Sequence, residues 1–219
     1  MWTPKKYHQS ANIIKWPAYR SVYKSFIAML EFVNGTVVDI GCGIKPYESL
    51  ILNKTKSYFG FDWYNSPHKL KINVAADALF LPIKEQSCDT VLLLEVLEHV
   101  KEPQKIIHEI SRILKIGGKV IITVPFMWGI HEAPYDYYRF TEYGLEELLK
   151  SSRLKIIQFS RRGGLWFLIG IRILYRVESY YRFLSKFYLH YFFIPFILIF
   201  QILFILLDRI DNVKEYATG

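Results

Sequence analysis

Thr36-Val37-Val38-Asp39-Ile40-Gly41-Cys42-Gly43 sets a short apolar run directly against a glycine-bearing bend. The β-branched residues at 36, 37, 38 and 40 favour an extended backbone, and the run is too short for a helix. Gly41 and Gly43 permit a tight turn and close backbone approach to a ligand. The stretch therefore reads as a buried strand that delivers its carboxyl end to a binding turn. A nicotinamide site would want a third glycine at position 46, where this chain has Pro46. The distinctive feature is the acid, Asp39, close before the first glycine.

Outward from this unit the chain alternates apolar strands with helical stretches. Upstream, Val22, Phe26, Leu30 and Val33 recur at helical spacing within an amphipathic helix over Ala18 to Val33, ended by Asn34-Gly35. Downstream, strands are expected over Tyr58 to Phe61, Ile72 to Ala76 and Thr90 to Leu94. A helix follows from Pro103 to Lys115, with Ile106, Ile107, Ile110, Ile113 and Leu114 on its apolar face and Gly117-Gly118 as its stop. A fifth strand covers Lys119 to Val124, a helix Glu142 to Ser151, and a sixth strand Lys155 to Phe159. This order predicts an α/β, Rossmann-like doubly wound sheet, mainly parallel, with helices on both faces. Ligands in such sheets bind beyond the carboxyl ends of the strands, where Asp39, Asp62, Asp77 and Glu95 fall. Acids on one rim of a basic chain suit a cationic or hydroxyl-rich ligand.

Composition bounds the rest. Of 219 residues, 52% are hydrophobic and 22% charged, which argues against disorder, collagen and coiled coil. Two cysteines, Cys42 and Cys88, are too few for a disulfide framework or a cysteine-rich zinc site. Met1 to Gln9 is polar with no apolar core after it, so no secretory signal is expected. The net charge of +8 raises nucleic acid and anionic membrane as partners. Phe187 to Leu207 carries no charge; as a helix it would be about 31 Å long, matching a bilayer core. Gly164 to Tyr181 is amphipathic and aromatic, and Arg161, Arg162, Arg172, Arg176, Arg182 and Lys186 precede the apolar run. That places the folded domain on the cytoplasmic side of a membrane. Pro195 interrupts the run, so a single span and a monotopic hairpin both remain open, as does a buried hairpin or dimer interface. The expected division is a ligand-binding domain over 1–162, a membrane-associated helical segment over 163–210, and a short tail over 211–219.

Val38-Asp39-Ile40-Gly41-Cys42-Gly43 resembles the first motif of the class I S-adenosylmethionine-dependent methyltransferases. Many members carry glycine where this chain has Lys45, and Gly43 to Glu48 is similar to a variant loop seen in part of the family. Asp62 lies where the family places an acid on the ribose hydroxyls, which a carboxylate accepts in pairs. Ala76-Asp77-Ala78-Leu79-Phe80-Leu81-Pro82 is similar to the adenine-contacting segment, and Asp89 to Val100 to the fourth motif. Ile113 to Gly118 is similar to the diglycine before strand five. The resemblance spans most of the first 160 residues. It implies S-adenosylmethionine as cofactor, held by Asp39, Gly41, Cys42, Gly43, Asp62, Asp77, Ala78 and Glu95. The bland alternatives are a turn cap for Asp39, solvated strand ends for Asp62 and Asp77, and caps for Glu98 and His99.

Pro125 to Thr141 follows strand five and holds His131, Glu132, Asp136 and Arg139. It is similar to a loop in the type 11-like subgroup, which is associated with surface polysaccharide and lipid-linked sugar pathways. A hydroxyl acceptor must lose a proton, a task suited to histidine near neutral pH. His131 is the candidate base, with Glu132 and Asp136 as runners-up. Trp128, Tyr135 and Tyr138 suit an acceptor wall. Arg139 suits an acceptor phosphate or carboxylate, or a salt bridge to Asp136. No His, Cys or Asp spacing resembles a metal site, so metal independence is expected, and Cys42 is expected to pack beneath the loop. Nucleic acid is disfavoured as a partner, because many basic residues flank apolar segments and no Asn/Asp-Pro-Pro-aromatic motif follows strand four. The reading is an O-methylating enzyme for a small-molecule or lipid-linked acceptor at the membrane, with a homodimer possible. Its alternatives are a quinone-type methyltransferase and a membrane-anchored binding module without turnover.

Overall fold

The computed structural model describes residues 14–64, 71–185, 190–211 and 219. The N-terminal stretch Met1 to Gln9, the start of the expected apolar run at Phe187, and positions 212–218 of the tail lie outside the described residues. The chain divides into two compact units. One is Ala28–Phe159, and the other joins Met1–Ile27 to Ser160–Gly219.

The first unit holds a five-stranded sheet: β1 (Thr36–Ile40), β2 (Ser57–Asp62), β3 (Val74–Ala75), β4 (Cys88–Leu94) and β5 (Leu114–Thr123). The order is β3-β2-β1-β4-β5, and every pairing is parallel. The winding reverses between β1 and β4, the position where open α/β sheets take ligands. Register brings the ends together: Ile40 faces Phe61 and Leu93, Asp62 faces Ala75, and Leu94 faces Thr123.

The sheet packs because its strands are apolar on both faces. Val37, Val38 and Ile40 of β1 and Val91, Leu92 and Leu93 of β4 are buried. Counting α1 (Trp16–Met29) and a short α2 (Glu48–Leu52) ahead of it, α3 (Pro103–Ile113) is the main helix of this core. Its proline sits at the helix start, where no N–H is needed. Ile106, Ile107, Ile110 and Ile113 are fully buried, each contributing roughly 2 kcal/mol of apolar burial. Helix α4 (Glu142–Lys150) begins at Thr141, whose hydroxyl oxygen accepts from the Gly144 N–H at 3.0 Å.

Three local expectations differ from the structure. Helix α3 stops at Ile113, because Leu114 already takes extended angles and pairs with Cys88. Gly117-Gly118 therefore lies in an irregularity of β5, between the Cys88–Leu114 and Thr90–Lys119 pairs. The third strand is only two residues long. No sixth strand forms at Lys155 to Phe159; Ile156, Ile157 and Phe159 stay exposed, and among the described residues β5 is the sheet edge. Alternating apolar residues give extended propensity, but a strand exists only where a neighbour supplies a ladder.

The second unit contains most of α1, together with α5 (Leu165–Ser185) and α6 (His190–Ile210). The expected division put α1 with the sheet. The structure groups it with the tail, where Lys15 pairs with Glu178 at 3.6 Å and lies over the Tyr175 ring. Helices α5 and α6 pack on each other as two consecutive helices. Phe204 stacks edge-on against Phe167 at 5.9 Å and lies against Gly170. Asp208 Oδ1 accepts from the Phe167 N–H at 3.1 Å. Pro195 stands inside α6. One helix among the described residues, Tyr191–Ile210, is long and apolar enough to cross a membrane. Phe192, Phe196, Ile199 and Ile202 on it are exposed.

Candidate active site

The bend after β1 is fastened to β2. The Gly41 and Cys42 N–H groups both donate to the Phe61 carbonyl, at 2.8 and 3.1 Å. Gly41 has φ +70°, and a Cβ there would come within 2.3 Å of Val96, so both the angle and the space require glycine. Gly43 also has positive φ, but a Cβ there would meet nothing within 4 Å. The turn is thus closed on the protein side at Gly41 and open at Gly43. The Gly43 N–H donates to Asp62 Oδ2, and the Trp63 N–H to Oδ1, each at 2.7 Å. Asp62 therefore links the turn to the end of β2, and a carboxylate at this place suits vicinal hydroxyls. Asp77 is exposed on the same rim, with Oδ1 accepting from the Leu79 N–H at 2.9 Å, and Ala78 packs against the core. These positions fit an adenosyl group: open space at a glycine, one carboxylate for vicinal hydroxyls, another for an amine.

Asp39 lies beneath the turn, buried, and accepts a hydrogen bond from the Tyr58 hydroxyl. Burial pushes its carboxyl up to about 7, against the Tyr58 hydrogen bond and the Lys45 charge that favour ionisation. Lys45 is buried with φ +53°, so it keeps a glycine-like backbone at the position where many methyltransferases have glycine. Its Nζ donates to Asn73 Oδ1 and lies 4.9 Å from the Tyr58 ring centroid. Asn73 Oδ1 also accepts from the Gly60 N–H at 2.8 Å. The sequence reading singles out Lys45 only for standing where glycine is common; Tyr58 and Asn73, inside expected strands, carry no signal of their own for a site. Cys42 is buried, and that burial pushes its thiol up to about 12, so it is packed and not nucleophilic.

The far side of the rim begins at Glu95, which has φ +56° and whose N–H donates to the Thr123 carbonyl at 2.9 Å. A single 3₁₀ turn, Leu97–His99, follows. The Glu98 carbonyl accepts from the Tyr137 N–H at 2.9 Å, tying this turn to the long loop after β5. His99 Nδ1 lies 2.8 Å from the Tyr135 carbonyl. His131 Nδ1 lies 3.1 Å from the Gly129 carbonyl, and the two imidazoles meet edge-on at 4.8 Å. Since a carbonyl only accepts, each Nδ1 carries a proton, and Nε2 is the ring nitrogen left for other partners.

Asp136 and Arg139 hold this loop in shape. Arg139 donates from Nε to the Trp128 carbonyl, from Nη1 to Asp136 Oδ1 and the Tyr138 carbonyl, and from Nη2 to Gly129 and Asp136 Oδ2. All five N–H donors are engaged inside the loop. Of the two expected uses of Arg139, the structure shows the salt bridge. Asp136 also accepts from the His131 N–H at 2.9 Å, and the Arg139 guanidinium holds its carboxyl far below the usual range. Glu132 is exposed beside His131. The Tyr138 hydroxyl donates to the Lys101 carbonyl at 3.0 Å. Tyr135 packs edge-on against Trp63 at 5.4 Å, so an aromatic pair bridges the end of β2 and the long loop. Trp63 is a member of this site that the sequence reading passed over, and His99 is one that it read only as a motif position or a cap.

Residues 38–122 match a family model described as a methyltransferase domain. A ubiquinone biosynthesis O-methyltransferase of Pseudomonas paraeruginosa is 29% identical over 127 residues, covering 52% of each chain. A demethylmenaquinone methyltransferase of Oceanobacillus iheyensis is 26% identical over 166 residues, covering 67% of this chain and 70% of that one. The chain spans about half the length of several curated relatives that it matches. Among solved structures, a putative methyltransferase of Haloferax volcanii in complex with the Trm112 methyltransferase activator superposes with a TM-score of 0.56 at 21% identity, covering 68% of this chain and 74% of that one.

Proposed function

We propose, from the premise that residues 38–122 belong to the class I S-adenosylmethionine-dependent methyltransferases, that this chain methylates a hydroxyl oxygen of a lipid-linked or saccharide acceptor at the cytoplasmic face of a membrane. The observation that carries this reading is the continuity of the rim. The glycine turn and the histidine-bearing loop stand at the carboxyl ends of one parallel sheet, bridged by Trp63 and Tyr135.

When bound, the cofactor supplies an electrophilic methyl group on a sulfonium sulfur. Asp62, Asp77 and the open face of Gly43 hold its adenosyl portion, Glu95 stands on the same rim, and Asp39 supports the turn from beneath through its hydrogen bond from Tyr58. Trp63 and Tyr135 pair at the junction of the two loops, and positioning and desolvation carry much of the rate. The acceptor hydroxyl enters at the corner formed by His131 and His99. The proton it loses goes to His131 Nε2 when that corner holds no ion. Trp128 and Tyr138 wall the acceptor side, while Asp136 and Arg139 act by fixing the loop.

The exposed apolar surface of α6 supports docking on lipid. A quinone-type acceptor is the second reading, favoured by the names of the ubiquinone and menaquinone relatives. The test offers fractionated membrane lipids, quinone precursors and lipid-linked sugars to the detergent-solubilised full chain and measures S-adenosylhomocysteine release. Turnover with one lipid fraction is expected. Cofactor binding without turnover on any fraction leaves only a binding module. Failure of calorimetry to detect S-adenosylmethionine or S-adenosylhomocysteine ends the reading altogether.

A further inference from the structure

Glu98, His99 and His131 converge although no sequence spacing marks them as a set. One donor atom from each lies within 4.8 Å of the other two. His99 Nε2 stands 3.8 Å from Glu98 Oε1. We infer that Glu98, His99 and His131 form a binding site for one divalent transition-metal ion. The site deepens the reading above, since it rests on that reading for the place where the acceptor hydroxyl arrives.

Three features favour a metal over a chance meeting of side chains. The donor set is two imidazoles and one carboxylate, which suits zinc, manganese or ferrous iron better than magnesium or calcium. Each imidazole has its Nδ1 against a backbone carbonyl, Tyr135 for His99 and Gly129 for His131. That leaves Nε2 basic and fixes the ring, the arrangement that metal-ligating histidines adopt. The Glu98 side chain is wholly buried, whereas His99 and His131 are partly exposed. A protein-side carboxylate with two imidazoles toward the rim leaves coordination positions open on the acceptor side. The local charge also fits: Arg139 and Asp136 neutralise each other inside the loop, and Glu95 is a further acid nearby.

The ion needs each donor about 2 Å away, so no pair of donors sits more than about 4.2 Å apart once it binds. Closing 4.8 Å to that distance takes shifts of a few tenths of an ångström per side chain. With the ion in place, His131 Nε2 is a ligand and no longer the first proton acceptor. A bound ion would take the acceptor hydroxyl in an open position and acidify its O–H bond; the O–CH3 bond would form as the sulfonium S–CH3 bond breaks, with S-adenosylhomocysteine as leaving group and the proton passing to water.

The test uses the untagged, chelator-treated full chain in detergent, titrated with Zn²⁺ by calorimetry and with Co²⁺ by visible absorption. One Zn²⁺ per chain and a cobalt ligand-field band are expected. His99→Ala and His131→Ala each weaken Zn²⁺ binding about 10- to 100-fold while S-adenosylhomocysteine binding stays within twofold. Glu98→Gln adds a third arm if it folds, and the two histidine variants suffice if it does not. A wild-type chain that binds S-adenosylhomocysteine but takes up no stoichiometric Zn²⁺ overturns the site. So does Zn²⁺ binding that both histidine variants retain. Stoichiometric Zn²⁺ binding lost in the variants, in a chain that binds no S-adenosylhomocysteine, leaves the metal site standing and the methyl-transfer reading fallen.

Discussion

Asp39 under the glycine turn and Asp136 in the long loop are both buried carboxylates, yet their surroundings drive them in opposite directions. Asp39 has a phenol hydroxyl as its direct partner and a lysine nearby, and burial pushes its carboxyl up to about 7. Asp136 accepts a two-point salt bridge from Arg139 and a backbone N–H from His131, and is held far below the ordinary range. The cofactor side is thus built by apolar enclosure with little compensation of charge. The acceptor side is built by a fully engaged charge pair. An enclosure tolerates no added volume, whereas a charge clamp fails when one partner is removed.

The sharpest way to break this contrast is steric. Gly41→Ala places a methyl 2.3 Å from Val96 at a left-handed φ, and is expected to abolish S-adenosylhomocysteine binding and lower the melting temperature. Gly43→Ala meets open space, so it keeps most of the melting temperature and loses affinity about tenfold. Calorimetry with differential scanning reads both; equal effects of the two substitutions would show that the turn is not closed on one side only.

Removing the clamp is next in size. Arg139→Ala leaves the buried Asp136 charge uncompensated and is expected to cost about 3 kcal/mol in denaturant unfolding. S-Adenosylhomocysteine affinity should stay within twofold, because Arg139 touches only its own loop. A large affinity loss would mean that the two regions are not independent.

The gentlest effect, taken per pH unit, is a pH dependence. A carboxyl raised in the native state keeps a proton that the unfolded chain has lost. Asp39 therefore contributes stability fully present below about 4 and lost as pH rises through about 7. Relative to Asp39→Asn, the wild type should lose stability between those values, with a slope of at most about 1.4 kcal/mol per pH unit. Parallel stability curves for the two proteins would show Asp39 to be ionised throughout.

Much of the fold was legible because buried parallel strands are continuous apolar runs. The strand at Thr36–Ile40 appears as read, and the isoleucine face of Pro103–Ile113 is fully buried as its spacing required. The end of α3 was misplaced because the diglycine is a stronger signal than Leu114, whose strand pairing with Cys88 is a tertiary fact. Lys155 to Phe159 shows the same limit from the other side, since its pattern suits a strand that no neighbour completes.

The site divides in the same way. Gly41, Gly43 and Asp62 stand within a few residues of strand ends, so a linear motif can mark them. Glu98 with His99 and His131 lie some thirty positions apart, on two loops brought together by the Glu98 carbonyl and the Tyr137 N–H. Periodicity and glycine placement, which are local properties of a chain, determined the sheet and its binding turn. Only the packing of one loop on another decided that two imidazoles and a buried carboxylate share one corner, because a long loop has no repeat that fixes where its side chains go.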